Sequence, residues 1–520
     1  MKKRAIWLVL AAIALVALGA GALLLRYEAG VLLPRFAQSM DLTGRELTCG
    51  EYEAIQAAVP GCRITWSVPL GEKYIPSDTQ SLSLEDLGPE AAERLTYFPE
   101  LRELEVTAPS DYSVLEKFAR EHPECRLRYP VRLGETSWKH DCQAIAVEDP
   151  QPEALARAMA YMPELKEVTL TGTLPEAGAL MALCDSFPDI SFHWTVTLGD
   201  QTYPEDTESL VYEGTPCPEA DIVSLIRLLP KLTRADVTQC GFSDETMFSL
   251  CRAFPQVAFP WQVPIGDSFF PWDAAELELS GIPFDSAQQV EDLLPCFPYL
   301  ERVVMCRCGL DNETMDGLNR KYEDIRFVWS IEIRFHHIRT DATYFYPYKL
   351  DRKLYINNEE ASLLRYCTDM VCIDIGHNGE VTDCEWAAYM PKLRYLIIGE
   401  TGISDLSPLA NCKELVYLEM FTIPVTDYSP LVSCTALEDL NLGKTYCDPT
   451  PIAQMTWLKN LWWCGAPTRN LPSSPAQDIL PEALPDTHIR LWLEHPTASG
   501  WRKLDNYFAM RDYMGMFYLT

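Results

Sequence analysis

The chain has 520 residues, a formal net charge of −32 at pH 7, and a hydrophobic fraction of 48%. That fraction is typical of a folded protein and argues against a disordered chain. The length exceeds what one ordinary globular core accommodates. Because a nucleic-acid partner needs a basic face, the acidic balance argues against nucleic-acid binding, and equally against docking of the body on anionic lipid.

The N-terminus predicts a membrane anchor. Residues 1–4 are Met-Lys-Lys-Arg, and an uncharged apolar run follows from Ala5 to Leu25. About 21 residues at 1.5 Å rise give roughly 31 Å, which crosses a bilayer core. A cleavable signal usually has a shorter apolar core of about 7–15 residues, so we interpret residues 1–26 as an uncleaved transmembrane anchor, with a cleaved signal as the alternative. The basic residues ahead of the run predict a single-pass protein of the cell membrane, with a cytoplasmic N-terminus and an extracytoplasmic body.

A phrase with a central aromatic residue recurs five times over residues 51–334. In most copies an apolar residue and a proline precede a short alternating strand, as Phe187-Pro188 precede residues 192–196. The central aromatics lie 63, 65, 67 and 68 residues apart: Trp66, Tyr129, Trp194, Trp261 and Trp329. Two further strands lie between successive copies, and helical stretches such as residues 112–121 separate them. Repetition of a strand and a helix at this interval predicts a stacked coil with a parallel sheet along one side.

From residue 367 to residue 465 the period shortens to about 22 residues. The residues that open each copy are spaced 23, 22, 22 and 21 apart: Met370, Leu393, Leu415, Leu437 and Leu458. Each opens the pattern Leu-x-x-Leu-x-Leu, as in residues 393–398. In these residues the chain resembles bacterial leucine-rich-repeat surface proteins, and its last turns resemble the internalin type. The resemblance implies an α/β leucine-rich-repeat solenoid with a parallel β-sheet on its concave side, here preceded by one transmembrane helix.

The asparagine that usually follows the strand in such repeats is missing. The residues near that place are Gly399, Phe421, Gly443 and Cys464. How the backbone groups of these turns are satisfied is therefore left open.

Eighteen cysteines in an exported chain suggest disulfides, but their positions argue against them. The column three residues before each opening residue mixes four residue types: Phe98, Met162, Leu229, Phe297, Cys367, Met390, Cys412, Cys434 and Met455. Such a column predicts packed core, so we expect most cysteines to be small buried residues. Cys412 and Cys434 come within disulfide reach by backbone distance, one rung of about 5 Å apart, but side chains that point in parallel disfavour the bond.

We divide the chain into six segments. They are the anchor (1–26), a membrane-proximal spacer (27–50), long-period repeats (51–334), a junction (335–366), short repeats (367–465), and a loop with a C-terminal cap (466–520). The aromatic tail of the last segment is interpreted as a cap of the solenoid, with a docking tail as the alternative. The Tyr-rich junction is interpreted as a connection between the two kinds of repeat, with a binding surface as the alternative.

No catalytic or cofactor motif was found: no nucleophile elbow, phosphate loop, dinucleotide glycine run or zincin helix. His336 and His337 are adjacent on a strand and point to opposite faces, so they make a poor metal pair. We therefore expect no enzyme, no catalytic residues, no bound metal and no cofactor. The favoured function is binding of a protein or glycan partner at the cell surface. The alternative is a structural envelope protein without a specific site, and a hydrolase is a weaker alternative, since a pair of carboxylates could act without a recognisable motif.

The concave sheet of the short repeats is the predicted binding surface. The outward positions of the pattern are occupied by Tyr395, Ile397, Tyr417, Glu419, Phe421, Asp439, Asn441 and Trp462. An exposed aromatic patch rimmed by acids suits a partner. We therefore expect alanine at Tyr417 or Trp462 to weaken binding and to leave the fold intact. The alternative is that the loop over residues 465–485 covers the patch and makes it core.

Protease added to intact cells is expected to digest the body of the chain, because residues 2–4 hold the N-terminus in the cytoplasm. Immunoblotting with an antibody to the body measures this. Survival of the body, with a cytoplasmic marker also protected, would contradict the topology.

Overall fold

A computed structural model describes residues 25–34, 37–212, 216–349, 352–353, 355–445, 448–463, 475–491, 495–498 and 500–515. These residues divide into two compact units. The first contains the residues up to Glu208 and Ala220–Lys231, and the second contains Ser209–Glu219 and the residues from Leu232 onward. In the part described, no helix combines the length and the apolar character that a membrane span requires. The predicted anchor lies outside the described residues, except that Leu25 begins the first strand.

The segment predicted as a spacer is folded. A hairpin of β1 (Leu25–Glu28) and β2 (Val31–Pro34) leads to β3 (Ser39–Glu46), which pairs in parallel with β4 (Arg63–Leu70). The helix between them, α1 (Cys49–Ala58), begins with a capping box that Thr48 and Glu51 form. Leu33 and Leu42 are buried. Residues 27–50 therefore belong to the first core, although they lack the proline phrase by which the repeats were recognised.

The remaining strands of the first unit are β5 (Lys73–Pro76), β6 (Ser81–Leu84), β7 (Glu103–Val106), β8 (Arg126–Arg128), β9 (Pro130–Leu133), β10 (Thr136–Lys139), β11 (Ala144–Glu148), β12 (Glu167–Thr171), β13 (Ser191–His193), β14 (Thr195–Leu198) and β15 (Gln201–Pro204). Parallel sheets form in the orders β6-β7-β8 and β11-β12-β13. Their side chains alternate between core and solvent: β12 buries Val168 and Leu170 and exposes Glu167 and Thr169. The three strands predicted for each long repeat are thus present in this unit.

The strands of the second unit are β16 (Ser209–Val211), β17 (Arg234–Asp236), β18 (Gln262–Ile265), β19 (Ser268–Pro271), β20 (Glu276–Glu278), β21 (Arg302–Val304), β22 (Arg326–Val328), β23 (Ser330–Ile333), β24 (His336–Arg339), β25 (Tyr344–Phe345), β26 (Tyr348–Lys349), β27 (Arg352–Lys353), β28 (Cys372–Asp374), β29 (Tyr395–Ile397), β30 (Tyr417–Glu419), β31 (Asp439–Asn441), β32 (Asn460–Trp462) and β33 (His488–Arg490). The α-helices that follow α1 along the chain are α2 (Pro89–Arg94), α3 (Tyr112–Glu121), α4 (Pro152–Met159), α5 (Ala177–Ser186), α6 (Glu219–Arg227), α7 (Asp244–Ala253), α8 (Ala287–Glu291), α9 (Asn312–Lys321), α10 (Asn358–Ser362), α11 (Pro475–Ala483) and α12 (Asp505–Tyr513).

Antiparallel hairpins, which were not predicted from the sequence, separate the parallel sheets of the long repeats. They are β4–β5, β9–β10, β14–β15, β18–β19 and β23–β24. Four turn on a glycine followed by an acid, with a glycine φ of 61°, 62°, 59° and 59° at Gly71, Gly134, Gly199 and Gly266. This left-handed backbone favours glycine, and a two-residue turn of this kind is the usual hairpin connection. The fifth copy places Arg334 there, at a φ of 56°.

A clip attaches each hairpin to the central aromatic residue of its repeat. The residue eleven positions later donates its backbone N–H to the aromatic's carbonyl: Ser77 to Trp66 at 2.7 Å, His140 to Tyr129 at 3.0 Å, Glu205 to Trp194 at 3.0 Å, Trp272 to Trp261 at 3.2 Å, and Thr340 to Trp329 at 2.8 Å. In all copies but the fourth, the side chain of that residue also accepts a hydrogen bond from the backbone N–H of the aromatic residue. The recurring aromatic therefore marks the start of a hairpin as well as a core position.

The short repeats form one seven-stranded parallel sheet in the order β25-β28-β29-β30-β31-β32-β33. Strands β28 to β32 begin at residues 372, 395, 417, 439 and 460, which confirms the spacing of 23, 22, 22 and 21. The chain returns through short 3-10 helices, such as Ser407–Asn411 and Ser429–Ser433. The inward leucines of the pattern, such as Leu396 and Leu418, are completely buried.

The asparagine position of these repeats lies two residues further along the chain than Gly399, Phe421 and Gly443. It is occupied by Asn378, Thr401, Ile423 and Thr445. The Asn378 amide donates to the carbonyl of Ile375 at 2.7 Å, and the Thr401 hydroxyl donates to that of Ile398 at 2.8 Å. Other turn amides bond to the next rung, as Glu400 N–H does to the carbonyl of Phe421 at 2.8 Å. Backbone groups of these turns are thus satisfied partly within the repeat and partly by the next rung.

The column that contains the cysteines is packed core, as predicted, since each of its nine members is buried. Cys412 donates its Sγ–H to the carbonyl of Ala387 at 3.4 Å, and Cys434 donates to that of Leu409 at 3.3 Å. Both thiols therefore point in parallel, each toward a carbonyl of the preceding turn. The cysteines among the described residues are free.

Thiol reagents are expected to leave Cys367 and Cys412 unmodified in the native protein. Burial raises the pKa of each thiol to about 12, so the reactive thiolate is scarce at pH 8. Mass spectrometry after labelling, with and without denaturant, measures the modification, and denaturant should make both sites reactive. Native labelling of Cys412 at the rate of an exposed thiol would contradict the packed column.

Candidate functional site

The residues predicted to bind a partner lie together on neighbouring strands, but they are not exposed. Each of Tyr395, Ile397, Tyr417, Glu419, Phe421, Asp439, Asn441 and Trp462 keeps between 0% and 6% of its surface accessible. The expectation of an exposed aromatic patch is therefore wrong. The outward face of β29 to β32 is the floor of a second hydrophobic core.

The C-terminal segment, residues 495–515 without Ser499, covers this face. It contains the 3-10 helix Trp501–Lys503 and α12. Trp501 is completely buried, and its ring lies 5.1 Å from that of Tyr417 and 5.3 Å from that of Trp462. Met510 and Met514 complete the cluster. The tail was predicted to cap the solenoid, and it instead packs on the outward face of the sheet.

The loop that we considered as a cover is not what buries the patch in the described structure. Its described part, α11, lies against the 3-10 helix Ile452–Gln454, on the return path of the repeat. Residues 464–474 lie outside the described residues. Phe421 is buried differently again: a Cβ on Gly399 would lie 2.8 Å from its ring, so it packs over the preceding turn.

A buried carboxylate joins the sheet to the C-terminal segment. Glu419 has no accessible surface, and its Oε2 accepts the Tyr417 hydroxyl at 2.7 Å and the Trp501 indole N–H at 2.6 Å. Its Oε1 accepts an N–H of Arg502 at 2.9 Å. Burial, with the Glu419 charge beside it, raises the pKa of the Tyr417 hydroxyl well above its usual value, so this hydroxyl stays a donor. A buried charge of this kind is tolerated because all its partners are present.

Further hydrogen bonds hold the segment along the sheet. The Asn506 amide donates to Asp439 at 3.1 Å, and Asn441 donates to the carbonyl of Pro496 at 3.0 Å. The Trp462 indole N–H donates to the carbonyl of Ala498 at 3.1 Å. Burial raises the pKa of the Asp439 carboxyl. The outward residues thus recognise a polypeptide, and that polypeptide is the end of their own chain.

The junction is one of the places where the second unit leaves aromatic side chains accessible. Phe335, Tyr344 and Tyr355 are 67%, 44% and 63% exposed. The rings of Tyr344 and Tyr346 stack with centroids 6.1 Å apart and planes inclined by 14°. These two tyrosines line a cavity of about 670 Å³ between β24 and β25, which we call the junction cavity.

The junction cavity also contains charged groups. Arg339 donates two hydrogen bonds to Asp341, at 2.9 and 2.7 Å, and these bonds lower the pKa of the Asp341 carboxyl. His336 and His337 lie on its rim, on β24. Across the described ranges of the chain, no three His, Cys, Asp or Glu side chains come close enough together to hold a metal ion.

Three solved structures show what this chain is similar to. An internalin, InlF, from Listeria monocytogenes is 14% identical, with 82% of this chain and 87% of that chain covered and a TM-score of 0.23. A leucine-rich-repeat protein from Leptospira interrogans is 12% identical, with coverage of 80% and 96% and a TM-score of 0.26. TLR13, solved as a complex with ssRNA13, is 12% identical, with coverage of 87% and 60% and a TM-score of 0.19. No protein-family model and no curated protein matches the chain. At such low TM-scores these similarities carry no argument about function.

Sequence reasoning located the outward residues but missed what binds them. Trp501, Arg502 and Asn506 donate side-chain hydrogen bonds to the sheet, and none of them belongs to a repeat. The available signal was the mixed character of the outward positions, in which large aromatics alternate with Glu419 and Asp439. A solvated outward face rarely contains so many large aromatic residues, so their number indicates a face that another segment covers.

Replacement of Trp501 by alanine is expected to destabilise the second unit by about 3–5 kcal/mol, because a large side chain leaves a core and a donor leaves Glu419. Tyr417→Ala is expected to act on stability in the same way, rather than only on binding. Denaturant unfolding of the full chain measures the shift in midpoint. The control is Lys503→Ala, an exposed position on the same 3-10 helix. Equal midpoints for Trp501→Ala and the control would contradict a covered sheet.

Proposed function

We propose that this chain is a non-enzymatic, membrane-anchored leucine-rich-repeat protein that binds a protein partner outside the cytoplasm, through the junction cavity and the aromatic residues around it. The anchor and the topology rest on the sequence of residues 1–26. The parallel ladder of short repeats supports the repeat architecture. The surface differs from the concave sheet that the sequence favoured.

One observation carries the choice of surface: the concave face of β29 to β32 already holds the C-terminal segment. A partner on that face would have to displace Trp501 and leave the Glu419 carboxylate without two of its three donors. Unpairing a buried charge costs about 3–5 kcal/mol. Partner binding there is therefore disfavoured against a surface that is already open.

The junction offers the composition of a binding surface. Exposed tyrosine and phenylalanine supply large contact areas at a small cost in side-chain entropy, and they are enriched at the centres of interfaces. Tyr344 is accessible although its ring is ordered by stacking on Tyr346. The paired Arg339 and Asp341 bring polar groups to the same cavity, where they can orient a partner.

A photo-crosslinking residue placed at position 344 of the full chain is expected to give a discrete adduct on intact cells. The matched control is position 389, because Tyr389 is also exposed, at 57%, but lies on the 3-10 helix Glu385–Tyr389. Once the adduct is identified, Tyr344→Ala should weaken its binding roughly 30-fold, the equivalent of about 2 kcal/mol, while Tyr389→Ala should not.

Two outcomes would contradict the proposal. The same adducts at both positions would show that the chain contacts its neighbours nonspecifically, as is expected of a structural envelope protein without a specific binding site. Adducts that appear only from position 417, after removal of residues 495–520, would place the partner on the concave face instead.

A further inference from the structure

A second cavity lies in the first unit, far along the chain from the junction. We call it the second-repeat cleft, and its volume is about 600 Å³. Its floor is the outward face of β7 and β8, and its wall is the hairpin β9–β10. The side chains that matter here are Glu105, Arg126, Arg128, Trp138, Lys139 and Asp141.

Strand alternation and the hairpin clip fix these side chains. Leu127 is buried, so its neighbours Arg126 and Arg128 must point outward. Arg128 pairs in register with Glu105 on β7. The His140 ring stacks on that of Tyr129 with centroids 4.3 Å apart, and this contact holds β10 beside the floor. Burial lowers the pKa of His140, so the ring is neutral at pH 7 and adds no charge to the cleft.

The cationic residues of the cleft are not a requirement of the repeat. Arg126, Arg128 and Lys139 lie three residues before, one before and ten after the central aromatic. The same three positions are Arg63, Thr65 and Pro76 in the first copy, Ser191, His193 and Pro204 in the third, Ala258, Pro260 and Pro271 in the fourth, and Arg326, Val328 and Arg339 in the fifth. Only the second copy has three cations. The fold therefore leaves these positions free to serve a ligand.

Among the described residues, the arginines of the cleft make only long contacts with carboxylates. The nearest contacts with carboxylates are Arg126 to Asp141 and Arg128 to Glu103, both at 3.9 Å, beyond hydrogen-bond distance. In the fifth copy, by contrast, Arg339 contacts Asp341 at 2.7 Å and Arg326 contacts Asp369 at 3.3 Å. Within the described structure, neither the Lys139 ammonium nor the Trp138 indole N–H has a hydrogen-bond acceptor.

We propose that the second-repeat cleft binds an acidic saccharide, a sugar that carries a carboxylate or phosphate group. Trp138 lines the cleft and is half-buried, because its ring also packs against the first core, and its accessible part can contact the apolar side of a pyranose ring. The two guanidinium groups match the fork of a carboxylate or phosphate, and Lys139 adds a third donor. Glu105 and Asp141 accept hydrogen bonds from sugar hydroxyls. The volume lies in the range of small-molecule sites, and the site is independent of the junction.

Isothermal titration of the full chain, in a detergent without a sugar headgroup, tests this proposal. The probes are trigalacturonate, the uncharged galactotriose, and inorganic phosphate. Trigalacturonate should bind, and galactotriose and phosphate should each bind at least about tenfold more weakly, because each lacks either the charge or the ring. Added salt should weaken trigalacturonate binding.

Two variants locate the site. Arg128→Thr introduces the residue that the first copy has at this position, and Lys139→Gln removes one charge. Each should weaken trigalacturonate binding about tenfold without a change in melting temperature, since one charge-assisted hydrogen bond is lost. The matched control is Arg63→Gln, which changes the position equivalent to Arg126 in the first copy and should have no effect.

The remaining outcomes overturn the proposal. Equal affinity for galactotriose would remove the charge from recognition, and equal affinity for phosphate would reduce the site to an anion site. Binding that neither variant changes would place the saccharide elsewhere, and absence of trigalacturonate binding would reject the cleft. None of these results bears on the junction, because crosslinking at position 344 is measured separately.

Discussion

Every parallel strand of this protein has to bury one face and share its backbone hydrogen bonds with the strand one turn away. The inward leucines and the rung-to-rung bonds of the turns meet both needs in the short repeats. In the long repeats the same constraint is met in groups of two or three strands, and a hairpin clipped to an aromatic residue closes each group. The fold does not constrain the residue type at positions that neither face the core nor form a clip. A binding site can therefore vary at these positions.

On the outward face of the short repeats, these unconstrained positions are occupied by residues that bind another segment of the same chain. The aromatic residues of β29 to β32 are too large to remain solvated together, and the C-terminal segment removes them from water. Glu419 holds the segment in this register, because its carboxylate accepts hydrogen bonds from both Trp501 and Arg502. The concave sheet is therefore part of the core in the second unit, while the second-repeat cleft in the first unit keeps its cations accessible.

Periodicity predicted the parts of the fold that repeat. The spacing of the strands, the buried column with Cys412 and the helix at residues 112–121 all follow from patterns that recur in the sequence. The hairpins were missed although Gly71 and its equivalents recur too, because a glycine and an acid were not recognised as a turn. The state of the outward face could not be predicted, since it depends on Trp501, which is distant along the chain and belongs to no repeat. The cleft could not be predicted from the repeat either, since only the second copy combines Arg128 with two other cations.

The contact between Glu419 and Trp501 joins residues that lie 82 positions apart, so it forms only after Trp501 has been made. Loops of this length slow the formation of a contact, because their ends must find each other before any energy is gained. Until residues 495–515 emerge, a nascent chain has a complete ladder of rungs with a bare aromatic face. That intermediate is prone to aggregation, and the same surface would mark chains that end early. Residues 495–515 therefore have to be made before the outward face of the sheet in the second unit is covered.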